Sequence, residues 1–382
     1  MAHLSGITWN HSRGYLPMVA TAQRFCELHP DVTIQWQVRS LQEFADFPIE
    51  RLAESFDLLV IDHPFCGYAA AHDTLLPLDE WLPAEFLDDQ ARHAVGKSHD
   101  SYCYGGHQWA LAIDAATPIA GWRPDLLAKA PGTWTELIDL AKFGLVAVPA
   151  IPIDSLMHFY MLCGALGEDP FSQPGHFVRK EIGVEALRML RELVSLCDPR
   201  CLGRNPIRTW ELLASNDTVA YCPFAYGYSN YCRRGYADHI LRVGGLIFLD
   251  NGRPCRSTLG GTGLAISSGC KEKVIAASYT QFVASSECQT TLYFDSGGQP
   301  GYREAWLSQE VNRRSNNFFA DTLSTLDAAY LRPRFEGYMH FQEQGGLIVQ
   351  QYLKNCGSEV AAFGALEHLA AHSESVHHSV SQ

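Results

Sequence analysis

Short apolar segments alternate with segments of helical periodicity over the first sixty residues. Residues 6–9 are predicted to be a short apolar strand, and residues 32–38 have the alternating, β-branched character of a strand. Residues 56–61 form a continuous apolar run typical of a buried parallel strand. Apolar side chains recur at helical spacing over residues 15–29, and residues 41–55 are also predicted to be helical. This β-α-β-α-β order predicts an α/β protein with an open parallel sheet and helices on both faces.

Beyond residue 100 the pattern mixes strands and helices, without an internal repeat or a low-complexity linker. Strands are predicted at 108–113, 145–148, 219–222 and, with glycines inside it, 259–267. A Thr-x-x-Glu capping box at Thr133 and Glu136 predicts a helix start. Further helices are predicted at 122–127, 155–166, 184–196, 271–285, 287–294 and within 315–370. We expect residues 114–121 to be a connection and the polar residues after about 372 to be a frayed tail.

The length and charge of the chain limit what it can be. At roughly 100–200 residues per domain, its 382 residues predict two domains. Its 29 basic and 42 acidic side chains leave a formal net charge of −13. Non-specific binding to nucleic acid or to an anionic membrane needs a positive surface, so we expect neither. No apolar run approaches the length of about 18 residues that spans a bilayer, so membrane insertion is not expected.

The cysteines and the N-terminal segment bear on the compartment. Twelve cysteines are scattered along the chain, many inside apolar runs, as at Cys26 and Cys163, where a free thiol behaves as a small core hydrophobe. The sequence from Met1 shows no basic segment, apolar segment or small-residue cleavage site of a secretory signal. We therefore expect free thiols and a cytoplasmic protein, or a periplasmic one if the sequence is that of a mature form.

Several motifs follow one another in the order of a known family. They are Trp109-Ala-Leu-Ala-Ile-Asp114, Trp122-Arg-Pro-Asp-Leu126, Gly132-Thr-Trp-Thr-Glu-Leu137, Gly260-Gly-Thr-Gly-Leu-Ala-Ile-Ser267, Gly298-Gln-Pro-Gly-Tyr-Arg303 and Arg332-Pro-Arg-Phe335. In this order, and over almost the whole chain, they resemble the extracellular solute-binding proteins of the family-1, sugar-binding type. Each motif alone is weak, and the order and spacing together carry the resemblance.

The resemblance implies a type II periplasmic-binding fold, in which two α/β lobes joined by crossover strands hold a ligand cleft between them. One lobe is expected to comprise residues 1–113 and 262–310, and the other residues 114–261 and 311–382, with crossovers at 108–113 and 259–267. The implied function is capture of a small polar solute, sugar-like or anionic, by closure of the lobes. The implied partner is a transporter or a regulatory protein, and a monomer is expected. Because family members are exported, the absence of a signal sequence leaves the transport role open.

Polar and aromatic side chains gather after the first and third predicted strands. In open parallel sheets the ligand lies beyond the carboxyl ends of the strands, so we expect these loops to bind it. The candidates are Trp9, Asn10, His11, Arg13, Tyr15, Asp62, His63 and Phe65. Asn10 and His11 would hydrogen-bond the ligand, and Arg13 at a helix start would hold an anion. The ordinary alternatives are a helix-capping loop with a solvated Arg13 and a strand-ending turn with an exposed His63.

The remaining ligand candidates come from later strand ends and turns. They are Asp114, Tyr226, Tyr228, Gly261, Thr262, Gln299 and Arg332. Acids at the position of Asp114 bind hydroxyl groups in the resembled family, and tyrosine rings stack on flat or apolar ligand faces. The alternatives are a turn cap for Asp114, core packing for the aromatic residues and a surface position for Arg332.

Two further interpretations belong to other functional classes. One is an enzyme that reuses the fold, with His11, Asp62 and His63 as acid–base residues; the other is an intracellular ligand sensor. Neighbouring residues on an extended chain point to opposite sides, so Asp62 and His63 are not expected to face the same atom. Cys197 and Cys201 lack a second pair of zinc ligands, so no metal and no cofactor are expected. A binding protein, rather than an enzyme, is the preferred interpretation.

Overall fold

The computed structural model describes residues 1–40 and 49–380. Within them the strands are β1 (Ala2–Trp9), β2 (Val32–Arg39), β3 (Leu58–Ile61), β4 (Cys103–Tyr104), β5 (His107–Gln108), β6 (Leu111–Ala116), β7 (Pro118–Trp122), β8 (Tyr221–Tyr226), β9 (Arg242–Gly244) and β10 (Gly260–Ile266). The helices are α1 (Ser12–Leu28), Ile49–Ser55, Cys66–His72, Ala84–His93, Ser98–Ser101, Trp134–Lys142, Pro152–Leu166, Lys180–Ser195, Pro206–Ser215, Lys273–Ala284, Ser286–Cys288, Arg303–Leu307, Gln309–Arg314, Phe318–Asp327, Tyr338–Leu353 and Glu359–Val380. Shorter helical turns lie at His63–Phe65, Leu78–Glu80, Pro199–Gly203, Ser229–Cys232 and Gln289–Tyr293.

The chain forms two compact units. Unit 1 consists of Met1–Ala116, Gly260–Arg313 and Arg334–Glu336, and unit 2 of Thr117–Leu259, Arg314–Pro333 and Gly337–Gln382. The division expected from the sequence lay near residues 113, 261 and 310 and did not separate the short segment 334–336.

Unit 1 is built on a sheet with the strand order β2-β1-β3-β10-β6 among the described residues. The first three strands are parallel, whereas β10 runs antiparallel to β3 and to β6. Helix α1 packs an apolar face that includes Met18, Ala22 and Phe25 into the core beside the sheet. All four residues of β3 are buried, as expected for a central strand that is covered on both faces.

Unit 2 is mainly helical around a small antiparallel sheet with the order β8-β7-β9. Helix Pro152–Leu166 is apolar on nearly every side and is buried along most of its length. It is the central element of the unit because it contacts both Lys180–Ser195 and Tyr338–Leu353. The capping box predicted at Thr133 is present, since Thr133 Oγ1 accepts the Glu136 N–H at 3.2 Å and the Glu136 carboxylate accepts the Thr133 N–H at 3.3 Å.

Most elements predicted from the periodicity are confirmed. The predicted strands at 6–9, 32–38 and 259–267 correspond to β1, β2 and β10, and the predicted helix at 15–29 corresponds to α1. Residues 41–48 of the predicted helix 41–55 lie outside the described residues, and Ile49–Ser55 is helical.

Other predictions were wrong in the region where the chain passes between the units. Residues 114–121 are not a simple connection, because most of them belong to β6 and β7. No helix opens at 122–127; Trp122 ends β7, and a turn follows it. The reason is tertiary pairing, since β7 hydrogen-bonds β8 on one side and β9 on the other, which overrides the weak strand preference of its proline, alanine and glycine. At the C-terminus, the helix continues to Val380 instead of ending near residue 372.

Candidate functional site

The strand registers of unit 1 align several predicted ligand residues along one edge of its sheet. Ile7 pairs with Leu59, so extending this parallel register by three residues places Asn10 beside Asp62. Gly263 pairs with Ile61, so Thr262 faces Asp62 on the other side, and Thr262 pairs in turn with Asp114. Asn10, Asp62, Thr262 and Asp114 therefore form one row across four strands, which we call the strand-end row. It lies at the carboxyl ends of the parallel strands, as predicted from the alternating order of elements.

The loop after β1 is held tightly by its own residues. His11 caps α1, and its Nδ1 accepts the Arg13 N–H at 3.0 Å. Burial and the nearby Arg13 charge lower the pKa of His11 to about 3, so this histidine is neutral at pH 7. Trp9 is buried beside Gly14, where an added Cβ would lie 2.3 Å from the indole ring. Asn10, by contrast, is exposed at the end of the strand.

Arg13 and Asp114 form a buried ion pair. Arg13 Nε donates to Asp114 Oδ2 at 2.9 Å, and Arg13 Nη2 donates to Asp114 Oδ1 at 2.5 Å. The two residues are only 3% and 1% exposed. Burial raises the pKa of Asp114, and the charge and hydrogen bonds of Arg13 oppose that rise. The pair joins the start of α1 to the end of β6, so the charge of Arg13 is compensated inside unit 1 and the residue is not solvated.

Asp62 and His63 are brought together by a strand-ending turn, the alternative given for them in the sequence analysis, but His63 is buried in it and not exposed. Asp62 Oδ1 accepts the His63 N–H at 2.9 Å and caps the helical turn His63–Phe65. The same oxygen lies 3.3 Å from His63 Nδ1, so the expectation that the two side chains point to opposite sides was wrong. An extended backbone was assumed, whereas the chain turns at this point. His63 is fully buried, with Tyr102 edge-on to its ring, and Phe65 is also buried.

The glycine and glutamine candidates shape the backbone next to Asp114. Gly261 has a φ of 102°, and an added Cβ would lie 2.3 Å from the Asp114 carbonyl oxygen, so this close approach of β10 to β6 requires glycine. Gln299 is buried and its Nε2 donates to the Ala115 carbonyl at 2.7 Å. Thr262 is buried in the strand-end row. These residues therefore set the shape of the sheet edge.

Tyr15 lies apart from the strand-end row. It lines a groove between α1 and β2, together with Val19, Ile34 and Trp36.

The three remaining candidates, Tyr226, Tyr228 and Arg332, belong to unit 2. The Tyr226 hydroxyl is 3.2 Å from Thr258 Oγ1, and Tyr228 is buried. Arg332 is also buried, and its Nη1 donates to Gln342 Oε1 at 2.8 Å while its Nε donates to the Leu259 carbonyl at 3.3 Å. The surface position considered for Arg332 is therefore wrong.

Arg39 was not among the residues predicted from the sequence. It ends β2 next to Trp9 of β1, is 7% exposed and donates from Nη2 to the Val60 carbonyl at 3.3 Å. A basic residue at the end of an alternating strand was the available signal, but it is indistinguishable in sequence from a solvated arginine.

No group of three or more potential metal ligands is found in the part of the chain that the structure describes. Among the same residues, no helix is long and apolar enough to cross a membrane.

Comparison with known proteins decides the family. A family model described as bacterial extracellular solute-binding protein matches residues 20–319. The chain belongs to this family. The resemblance found in the sequence motifs is thereby confirmed. Among curated protein sequences, none matches the chain significantly.

Solved structures of solute-binding proteins share the fold of this one. Maltose-bound MalE3 of T. maritima is 16% identical, with a TM-score of 0.84 over 97% of this chain and 99% of the other. A solute-binding protein of an ABC transporter from Thermotoga lettingae, bound to α-D-tagatose, is 15% identical, with a TM-score of 0.83 over 98% and 100% of the chains. The GacH receptor of Streptomyces glaucescens is 18% identical, with a TM-score of 0.81 over 98% of both chains. The predicted type II periplasmic-binding fold is confirmed.

The family also bears on the compartment of this solute-binding protein. The family is described as extracellular, which agrees with the periplasmic alternative and does not support the cytoplasmic expectation. All twelve cysteines are free thiols in the structure, and most are buried.

Proposed function

We propose that this solute-binding protein captures a neutral, polyhydroxylated solute, a sugar or a polyol, and that the strand-end row of unit 1 supplies part of its binding site. Membership of the family supports solute binding. Proteins of the same fold are described with maltose, ribitol, α-D-tagatose and D-mannitol bound, which supports this class of ligand.

The chemistry of the strand-end row carries the proposal. Asn10 offers an amide and Asp62 a carboxylate, and both are groups that hydrogen-bond hydroxyls well. One nearby cation, Arg13, is already paired with Asp114 in a bidentate contact. Because this pair has no net charge, a neutral solute suits the row better than the anionic one that the sequence analysis left open.

The same residues are poorly placed for acid–base catalysis. The pKa of His11 is lowered to about 3, so this side chain does not hold a proton to donate at pH 7. His63 is fully buried, and Asp62 is engaged in capping the turn that contains it. These contacts support a binding role over the enzyme alternative.

We further propose that units 1 and 2 act as the two lobes of the family and close on the solute, with delivery to an ABC transporter. The chain passes from unit 1 to unit 2 directly after β6 and returns directly before β10, and it crosses again near residues 313, 333 and 336. The two strand ends, with these later crossings, would serve as hinges. Small-angle scattering tests closure. The radius of gyration should fall when the solute is added, and an unchanged radius with saturating solute would rule out closure but not binding.

Isothermal titration calorimetry with maltose, ribitol, D-mannitol and α-D-tagatose tests the ligand class. At least one of these neutral solutes should bind, whereas binding only of anionic compounds such as glucuronate would overturn the proposed class.

Variants Asn10→Ala and Asp62→Asn test the position of the site. Losing a hydrogen-bond partner typically costs about 1–3 kcal/mol, or roughly five- to a hundred-fold in affinity. Asp62→Asn keeps an oxygen that can cap the turn, so the fold should be preserved. The matched control is Asp31→Asn. Asp31 is an exposed acid immediately before β2, so it lies at the amino ends of the parallel strands, and the strand-end row lies at their carboxyl ends. Wild-type affinity in both site variants would place the site elsewhere.

A further inference from the structure

The outer edge of the unit 1 sheet is formed by β2. Among the described residues, β2 pairs with β1 and with no other strand. The Ala2 N–H donates to the Asp31 carbonyl, and the Asn10 N–H donates to the Arg39 carbonyl. The odd-numbered residues of β2 therefore turn their backbone N–H and C=O groups towards β1. Backbone groups alternate in direction along a strand, and those of Ile34 and Trp36 therefore point away from the sheet.

This edge lacks the features that usually protect an exposed strand. Residues 32–38 read Val-Thr-Ile-Gln-Trp-Gln-Val and contain no charged residue, proline or glycine. Exposed edges are normally interrupted by such residues, because unpaired backbone groups on a β-branched, uncharged strand recruit another strand. The composition of β2 therefore favours pairing of this edge with a further β-strand.

A groove and an apolar patch accompany the edge. The groove has a volume of about 410 Å³ and is lined by residues of α1 and β2, with Tyr15 and Val19 facing Ile34 and Trp36. Leu16 and Val19 on α1 are 48% and 37% exposed, and Val38 on β2 is 41% exposed. Clustered apolar exposure beside an open backbone edge is typical of an interaction surface.

The geometry points to a second copy of this chain as the occupant of the edge, with the two β2 strands antiparallel across a two-fold axis at Gln35. In this register Ile34 lies opposite Trp36 of the partner subunit, and both have outward-facing backbone groups that exchange hydrogen bonds. Thr33 lies opposite the partner's Gln37, and Val32 lies opposite the partner's Val38. Each position thus meets a residue of its own kind, apolar on the α1 side of the strand and polar on the other.

The net charge of the chain limits where a second copy can bind. The chain carries a net charge of −13, so two copies repel each other over most of their surfaces. The seam formed by residues 32–38 is free of charge, and the two copies can therefore approach there without apposed like charges. A strand of a different protein needs no such palindromic pattern. The proposed homodimer differs from the monomer expected from the sequence, and it does not depend on the identity of the solute.

A cysteine at the two-fold axis tests the register. Gln35 is exposed, and in the proposed dimer it lies opposite Gln35 of the partner subunit. The two residues form a non-hydrogen-bonded pair, in which the Cβ atoms lie about 4.5–5.5 Å apart. In a Cys103→Ser, Cys356→Ser background, which removes the exposed native thiols, Gln35→Cys should form a disulfide-linked dimer on mild oxidation. Thr33→Cys is the matched control, since it is exposed on the same strand but faces the partner's Gln37 and should not cross-link to itself.

Charge substitution tests the dimer without a cross-link. In sedimentation velocity over a concentration series, wild type should show a monomer–dimer equilibrium, and Gln35→Glu should weaken it at least about tenfold by apposing two carboxylates. Mixing Gln35→Glu with Gln35→Lys should restore a dimer containing one of each, visible by native mass spectrometry. Gln351→Glu, an exposed glutamine in unit 2, adds the same charge and should have no such effect. A monomer up to about 100 μM, or a dimer that Gln35→Glu leaves unchanged, would overturn the proposal.

Discussion

The buried Arg13–Asp114 pair provides a sharp test of the structure of unit 1. In Asp114→Ala, the Arg13 guanidinium loses two hydrogen bonds, of 2.9 and 2.5 Å, while only 3% of the residue is exposed to water. Removing one partner of a buried pair typically costs about 3–5 kcal/mol, because the other charge is left uncompensated. Urea unfolding followed by tryptophan fluorescence should register this loss in the free energy of unfolding.

A double-mutant cycle separates the pair from ordinary packing. Arg13→Met combined with Asp114→Leu removes both charges, and the double variant should be more stable than either single variant. Its loss in the free energy of unfolding should be smaller than the sum of the two single losses by several kcal/mol. The control is Glu27→Ala, which breaks the Arg24–Glu27 pair on α1; both side chains there are about half exposed, at 54% and 52%, so the loss should be at most about 1 kcal/mol. The reasoning is refuted if Asp114→Ala costs less than about 1 kcal/mol or if the two single losses simply add.

Other predictions concern groups in both units. Burial raises the pKa of Asp154 well above its ordinary value, so the unfolded chain releases this proton first and the free energy of unfolding falls as the pH rises above about 4. In urea titrations the free energy of unfolding of Asp154→Asn, relative to that of wild type, should rise by up to about 1.4 kcal/mol per pH unit. The same difference between the two proteins at pH 5 and at pH 7.5 would contradict this. Burial lowers the pKa of His158 to about 3, so its contribution to stability is lost as the pH falls below about 6.5, and His158→Gln should show a correspondingly shallower decline in unfolding free energy on acidification. Thr133→Ala should cost about 1 kcal/mol by removing the helix cap, and an unchanged melting temperature would argue against the capping box. Thiol titration of freshly denatured protein should find close to twelve free thiols, and a value near eight or below would contradict the free cysteines of the structure.

The sequence alone determined most of the local structure and the place of the strand-end row. Alternation over residues 32–38 and helical spacing over 15–29 depend on neighbouring residues, so β2 and α1 could be read directly. Because parallel strands end at a common sheet edge, the order of elements also placed Asn10 and Asp62 together.

Tertiary structure decided which of the candidate side chains are committed to partners elsewhere in the chain. Arg13 and Asp114 are 101 residues apart, and no local pattern indicates that they neutralise each other. The burial of His63 and Arg332 likewise depends on elements that pack around them from distant parts of the sequence. The strand at residues 118–122 forms because β8 and β9 pair with it, although its own residues favour strand weakly. Local propensity and periodicity act over a few residues, whereas burial and charge pairing are properties of the folded chain.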